Sequence, residues 1–159
     1  MHMDIEQAKK FVAKRLGFKA YTCQEIYRKL VQNGCEKEIA ERTIAEFCSA
    51  GILDDHEYAK MYIHDALNIE LKGMYRIRQE LVAKGISPGI VEKAAEEAEA
   101  NEEESLEKYV SIRFGDTRFL DFKELEKAKM HLVRRGYSIY DINKCFKKLD
   151  ICVDRGDMD

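Results

Sequence analysis

Apolar residues recur along the chain at the three- and four-residue spacing of helices, and the pattern itself repeats every 51 residues. Leu30, Leu81 and Leu132 mark this interval, and each is followed four residues later by a glycine. A fixed period of this size is typical of stacked supersecondary units rather than of one irregular core. Three intervals take up nearly all of the 159 residues.

Each interval is predicted to form three helices. In the first interval Thr22 and Glu25 have the spacing of a capping box, and Ile26 and Leu30 then fall on one helical face. Asp54 is the predicted N-cap of the helix that opens the second interval. No alternating strand pattern competes with the helical one. We therefore predict an all-α fold, an elongated and curved array of nine helices.

The array is predicted to consist of three tandem three-helix repeats. They cover residues 4–53, 54–100 and 101–150, and residues 151–159 form a C-terminal tail. Each repeat needs its neighbour to cover its apolar face, since a unit of this size cannot bury that face alone.

The glycine that follows each repeated leucine is predicted to end the middle helix of its repeat. If Gly34 is left-handed and lies just beyond the helix cap, Leu30 and Cys35 make the apolar contact of a Schellman motif. That conformation costs other residues about 1–2 kcal/mol, so glycine is favoured there. The predicted structural residues are therefore Asp54, Gly34, Gly85 and Gly136.

Charge is segregated along the chain although the formal net charge is only −3. Residues 92–107 contain eight acidic residues and one lysine, whereas residues 118–148 contain nine Lys or Arg and four acidic residues. This separation of charge along the chain says more about which partners it can bind than the net charge does. No run of 18 apolar residues is present, so we expect no membrane span.

The five cysteines and the charged N-terminal residues point to a reducing compartment. An odd number of cysteines without a Cys-x-x-Cys pair or a secretion signal fits the cytoplasm. His56 and His64 are eight residues apart with no cysteine at ligand spacing, and His131 is isolated, so no metal site is expected. No catalytic constellation or phosphate loop stands out, and we expect no enzymatic activity and no cofactor.

Basic residues cluster on the middle helices of the second and third repeats. Lys72, Arg76 and Arg78 are predicted to begin a helix, where the helix dipole disfavours cations, so a solvated helix face explains them poorly. Arginine clusters suit carboxylate or phosphate partners. The 51-residue offset places Arg76 level with Lys127, which predicts one continuous basic strip. The candidate partner-binding residues are Lys72, Arg76, Arg78, Lys84, Lys127, Arg134 and Arg135.

Four short motifs together resemble those of the RecX family, regulators of the RecA recombinase. They occur in order and at normal spacing over residues 8–150. The first-repeat motif is Thr22, Glu25-Ile26 and Lys29-Leu30, and the exit motif is Gly51-Ile52-Leu53-Asp54-Asp55 with Tyr58-Ala59. The central motif is Gly73, Ile77, Glu80-Leu81 and Lys84-Gly85-Ile86, and the C-terminal motif is Lys127, Leu132 and Arg134-Arg135-Gly136-Tyr137-Ser138.

The resemblance implies three tandem three-helix repeats and a protein that binds RecA filaments on DNA. It implies that the protein lies along the filament groove and restrains ATP hydrolysis and strand exchange. Separately, we expect the chain to be an elongated monomer. Direct DNA binding is disfavoured by the acidic run 96–104 and the slightly negative net charge. The residues alone leave open a nucleic-acid-binding module, an adaptor for another protein and, more distantly, an enzyme.

Overall fold

The computed structural model describes residues 2–99, 101–115, 117–119 and 121–154. The helices of this part of the chain are α1 (Ile5–Leu16), α2 (Cys23–Gln32), α3 (Lys37–Ser49), α4 (Asp55–Asn68), α5 (Met74–Ala83), α6 (Pro88–Glu97), α7 (Glu102–Phe114), α8 (Phe122–Arg134) and α9 (Ile139–Lys148). An isolated parallel bridge joins Phe119 to Val153. The prediction of an all-α fold is confirmed, whereas the elongated, curved shape and the repeat boundaries stay predictions.

Side chains cap the helix starts at positions that the sequence marks. Thr22 and Glu25 form a capping box at α2, because each side chain accepts the backbone N–H of the other residue. Asp54 Oδ1 accepts the N–H groups of His56 and Glu57, each at 3.1 Å, at the start of α4. These bonds satisfy donors that have no partner within the helix.

The middle helices α2, α5 and α8 all end in the same glycine turn. Gly34, Gly85 and Gly136 have φ angles of 90°, 90° and 105°. In each turn the residue after the glycine donates its N–H to the carbonyl of the repeated leucine, which is the long hydrogen bond of a Schellman motif. These bonds are Cys35 N to Leu30 O at 3.0 Å, Ile86 N to Leu81 O at 3.2 Å and Tyr137 N to Leu132 O at 3.2 Å.

The chain packs into two compact units. Unit 1 consists of Met1–Tyr62 and Glu80–Glu97, and unit 2 consists of Ile63–Gln79 and Ala98–Asp159. One core cluster of unit 1 is built from one apolar face each of α1, α2 and α3, together with the residues that follow α2 and α3. Its buried members are Ala8, Val12, Ile26, Leu30, Cys35, Ala40 and Leu53.

The core of unit 2 is larger and contains more aromatic side chains. Its buried members come from α7, α8, α9 and their connections, and they are Leu106, Val110, Phe119, Leu125, Ala128, Leu132, Tyr137, Ile142, Cys145 and Phe146. Residues 151–154 of the predicted tail pack on this core, because Ile151 N donates to Phe146 O at 2.8 Å and Asp154 N donates to Phe119 O at 2.7 Å. Residues 155–159 lie outside the described part of the chain.

In unit 1 the start of α2 is joined to the two helices that open the next repeat. The Thr22 hydroxyl donates to the carbonyl of Lys84, just after α5, at 2.7 Å. Cys23 N donates to Asp55 Oδ1, at the start of α4, at 2.9 Å. Asp55, the first residue of α4, therefore also accepts a free N–H group at the start of α2. We call this arrangement the inter-repeat contact.

Unit 2 contains the same inter-repeat contact, moved along the chain by one repeat. Gly73 N donates to Arg135 O, just after α8, at 2.8 Å. Met74 N donates to Glu102 Oε1, at the start of α7, at 3.0 Å. Gly73, Met74 and Arg135 follow Thr22, Cys23 and Lys84 by 51 residues. The repeat seen in the sequence is therefore also a repeat of hydrogen bonds.

Candidate functional site

The basic residues before and within α5 occupy two different settings. Helix α5 begins at Met74, so the prediction that Lys72 begins this helix is wrong. Lys72 lies in the preceding connection, where its N–H donates to Ala66 O at 2.9 Å and its Nζ pairs with Glu70 at 2.6 Å. Arg76 lies in the first turn of α5 and Arg78 in the second, and both are half-buried.

The start of α5 lies against the end of α8. Tyr75 N donates to Gly136 O at 3.1 Å, and a Cβ atom on Gly136 would come within 2.6 Å of the Arg76 backbone and Cβ. The C-terminal end of a helix carries partial negative charge, which favours a cation beside it. The backbone of Arg76 therefore lies beside the end of α8, where a cation is favoured.

Arg134 and Arg135 are adjacent in sequence but have different surroundings. Arg134 is exposed. Arg135 donates from its guanidinium to the carbonyls of Glu70 and Leu71, and its guanidinium carbon lies 4.2 Å from the centre of the Tyr109 ring. The guanidinium of Arg135 is therefore held inside unit 2, which argues against its predicted role in binding a partner.

Lys84 belongs to unit 1, whereas the other six candidate residues belong to unit 2. Its Nζ lies 3.6 Å from Glu25 and about 6 Å from the rings of Tyr58 and Tyr62. Burial lowers the pKa of Lys84, but Tyr58 and Glu25 outweigh burial, so the pKa is raised above its ordinary value. The ammonium group thus has partners within unit 1.

Lys127 is exposed on α8, nine residues before Gly136. Arg76, which the repeat offset places level with Lys127, has its backbone against Gly136 instead. The inter-repeat contact explains the difference, because it pairs the start of one middle helix with the end of the next. The structure thus brings Arg76 to the end of α8 that carries Arg134.

An apolar groove beside these basic residues is a feature that the sequence analysis missed. Its volume is about 650 Å³. Tyr75, Met130 and Ile139 line it and are 68%, 46% and 48% exposed. Arg78 lines the same groove, so a cation borders an exposed apolar surface. The spacing of Tyr75, Arg78 and Val82 on α5, with Val82 46% exposed, is the sequence signal of this second, outward face.

His131, which was expected to be isolated, is part of an aromatic cluster in unit 2. Its Nε2 lies 2.6 Å from the Tyr109 hydroxyl, and its ring packs near Phe114. Burial lowers the pKa of His131, and the neighbouring Arg113, Arg135 and Arg134 lower it further. The neutral imidazole can accept a hydrogen bond from the Tyr109 hydroxyl, so each group provides the other with a hydrogen-bond partner.

The described ranges of the chain contain neither a group of side chains suited to a metal ion nor a membrane-spanning helix. Within those ranges, no three His, Cys, Asp or Glu side chains lie together in a way that could hold a metal ion. No described helix has both the length and the apolar character of a membrane span.

Comparison with known proteins gives the same family at several levels. The model of the first three-helix domain of RecX matches residues 8–47, and that of the second matches residues 54–94. The regulatory protein RecX of Salmonella paratyphi A is 32% identical over 142 residues, which cover 83% of this chain and 85% of that protein. The chain belongs to the RecX family.

Other members of the RecX family support this assignment. The regulatory protein RecX of Prosthecochloris aestuarii is 28% identical over 137 residues, covering 84% of this chain and 87% of that protein. The crystal structure of RecX from Lactobacillus salivarius superimposes with a TM-score of 0.76 at 22% identity, over 92% of this chain and 97% of that one. These relatives are named as regulatory proteins, and the solved RecX structure shares the fold.

Proposed function

We propose that this RecX family member regulates RecA recombinase filaments, mainly by inhibiting their ATPase and strand-exchange activities in recombination and DNA repair. Membership of a family of regulatory proteins carries the proposal.

The surface proposed for filament binding lies in unit 2 and consists of Arg76, Arg78, Lys127 and Arg134. Lys72 lies in the connection before α5, Lys84 lies in unit 1, and the Arg135 guanidinium donates to main-chain carbonyls, so these three are left out. Arginine side chains suit carboxylates of a protein partner, and the neighbouring apolar groove adds area that a partner side chain can bury. A polar rim around an apolar centre is typical of protein interfaces, and Arg78 borders this groove.

Inhibition is proposed to follow from simultaneous contact with more than one filament subunit. A filament presents identical sites at a fixed spacing, and two weak contacts made by one chain reinforce each other through their effective concentration. Contacts that bridge neighbouring subunits would restrain the movements that accompany nucleotide turnover.

The test is a charge reversal at three of these residues. The variant Arg76→Glu, Arg78→Glu, Arg134→Glu is compared with wild type in an assay of RecA ATPase on single-stranded DNA. We expect half-inhibition to require at least about tenfold more of the variant, because lost contacts worth about 1.4 kcal/mol change the dissociation constant tenfold. Circular dichroism and melting confirm that the variant is folded.

The matched control reverses three exposed lysines of unit 1, in the variant Lys10→Glu, Lys14→Glu, Lys37→Glu. Both variants change the net charge by the same amount, so a loss of inhibition shared by both would reflect net charge and contradict the proposed surface. Undiminished inhibition by the folded unit 2 variant would also contradict it.

A second measurement separates filament binding from binding to bare DNA. If the unit 2 variant loses affinity for bare DNA yet still restrains assembled filaments, the basic residues contact DNA and the proposed surface is wrong. Phosphate contacts of that kind have a steep salt dependence, with a slope of about −0.9 per neutralised phosphate on duplex DNA.

A further inference from the structure

Two cysteines that are distant in sequence lie side by side in unit 1. Cys23 is the first residue of α2, and Cys48 lies one residue before the end of α3. Their Sγ atoms are 3.5 Å apart. A disulfide bond is about 2.0 Å long, so a small rotation of the two side chains would bring the sulfur atoms into bonding range.

The pair is accessible from solvent on one side. Cys48 is exposed, and Cys23 is half-buried in the wall of a cleft of about 430 Å³ that Tyr27 and Ile44 also line. Cys35 and Cys145 are buried, and Cys152 is the other exposed cysteine. Cys23 packs at the edge of the unit 1 core, and neither thiol belongs to the proposed filament surface.

The two thiols are not equivalent as nucleophiles. Burial raises the pKa of Cys23, and the adjacent Cys48 sulfur and the Asp55 carboxylate raise it further. Cys23 is therefore protonated at neutral pH, and the thiolate is the species that attacks a disulfide. Cys48 is the more exposed of the two thiols, so it is the one that meets a disulfide from solution first.

We propose that Cys23 and Cys48 form a redox modification site, which a small disulfide such as glutathione disulfide converts into an intrachain disulfide. In the first step the Cys48 thiolate attacks one sulfur of glutathione disulfide, which breaks that bond and releases one glutathione thiolate. In the second step Cys23 loses its proton and attacks the Cys48 sulfur of the mixed disulfide, which releases the second glutathione thiolate. Two protein thiols are oxidised, and one glutathione disulfide is reduced to two glutathiones.

The bond would link the start of α2 to the end of α3 beside the inter-repeat contact of unit 1. Cys23 donates its N–H to Asp55, and Thr22 beside it donates to Lys84 O. A disulfide here closes the loop that contains the rest of α2 and most of α3, and restricts the unfolded chain. Intracellular disulfides are more often redox-responsive than structural, which fits an accessible pair of thiols.

The experiment uses the full chain carrying Cys152→Ser, which removes the other exposed thiol. The protein is equilibrated with glutathione buffers of increasing disulfide content, quenched with acid, and analysed by intact mass and peptide mapping. We expect a species lighter by two hydrogen atoms, with the peptides of Cys23 and Cys48 cross-linked. The melting temperature should rise by at least about 5 °C and return to its starting value with dithiothreitol.

Two matched variants in the same background test the pairing and the order of steps. Cys23→Ser should accumulate one glutathione on Cys48 without a cross-link, and Cys48→Ser should react slowly or not at all. If the parent protein gains glutathione without losing two hydrogen atoms, or forms the cross-link only after denaturation, the inference is wrong. Faster reaction of Cys48→Ser than of Cys23→Ser would also overturn it.

Discussion

A Cβ atom placed on Gly73 would lie 2.3 Å from the carbonyl carbon and oxygen of Gly136. These two glycines bring the backbone at the start of α5 into direct contact with the backbone at the end of α8, where Gly73 N donates to Arg135 O at 2.8 Å. The contact leaves room for a hydrogen atom and for nothing larger. Gly73, which the sequence marked only as part of a motif, is therefore required by close approach.

Gly73→Ala is expected to lower the free energy of unfolding by about 2–3 kcal/mol, because the added methyl group meets backbone atoms that cannot rotate away. Chemical denaturation measures the change. Gly89→Ala is the control, since a Cβ atom there meets nothing within 4 Å, and its stability should change by less than about 0.5 kcal/mol or rise. Equal stability of the two variants would show that the start of α5 is not held against α8.

Gly85→Ala is expected to destabilise the chain more than Gly51→Ala. Both glycines have positive φ, 90° and 73°, so each substitution carries the left-handed cost of about 1–2 kcal/mol. At Gly85 the new Cβ atom would also come within 2.2 Å of the Gln24 Cβ, whereas at Gly51 it meets nothing within 4 Å. The difference in unfolding free energy between the variants should be about 1–3 kcal/mol.

The difference in unfolding free energy between the two variants measures how tightly the glycine turn after α5 packs against α2. If the two alanine variants have the same stability, the turn at Gly85 does not pack against Gln24. Gln24→Ala would not relieve the overlap, because the Cβ atom remains; only Gln24→Gly removes that atom.

Arg135→Ala is expected to lower the unfolding free energy by about 1.5–3 kcal/mol, the range for hydrogen bonds from a charged group. The Leu71 carbonyl accepts from both Arg135 and the Tyr137 hydroxyl, and Leu71 itself has a φ of 55°. A leucine in that conformation is strained and needs such support. Arg134→Ala, at the exposed neighbour, should change stability by less than about 0.5 kcal/mol.

Thermal melting of the two alanine variants decides between a structural and a surface role for Arg135. A similar, small effect of both substitutions would return Arg135 to the candidate binding surface. A large effect of Arg135→Ala alone would support the assignment of the guanidinium to the interior of unit 2.

Stability is expected to fall in mildly acidic solution because of His131. The folded chain lowers the pKa of His131 below that of the unfolded chain, about 6.5, through burial and the nearby Arg113, Arg135 and Arg134. The neutral form favours folding, so this contribution is complete above the unfolded pKa and is lost as the pH falls through the folded pKa. The free energy of unfolding cannot change by more than about 1.4 kcal/mol per pH unit when one proton is bound.

His131→Gln provides the comparison, since it keeps a polar side chain and removes the titration. Melting temperatures of wild type and variant are measured between neutral and mildly acidic pH. The wild type should lose stability faster than the variant over this interval. Parallel curves would mean that other groups account for the acid sensitivity.

The helices and their ends could be predicted because their signals are local. The capping box of Thr22 and Glu25 spans four residues, and the turn from Leu30 to Cys35 spans six. Each motif satisfies backbone groups of its own helix, so sequence neighbours determine it. The fold class followed from such signals repeated through the chain.

The candidate site was less predictable because its environment comes from distant residues. Nothing in the pair Arg134-Arg135 distinguishes the exposed side chain from the half-buried one, and the carbonyls that hold Arg135 lie more than sixty residues earlier. The pairing of Arg76 with Gly136 also requires the inter-repeat contact, which places the start of one helix at the end of another. A repeat in the sequence identifies equivalent positions, but it does not show which residues are in contact.

The inter-repeat contact suggests how the repeats diverged while they kept one way of packing. Its acceptors at Lys84 and Arg135 are main-chain carbonyls, and the donor is a hydroxyl at Thr22 but a backbone amide at Gly73. Any residue offers a carbonyl, so these positions constrain side-chain identity weakly. Substitution at these two acceptor positions therefore leaves the inter-repeat contact intact, and chains with 22% identical residues can share the fold at a TM-score of 0.76.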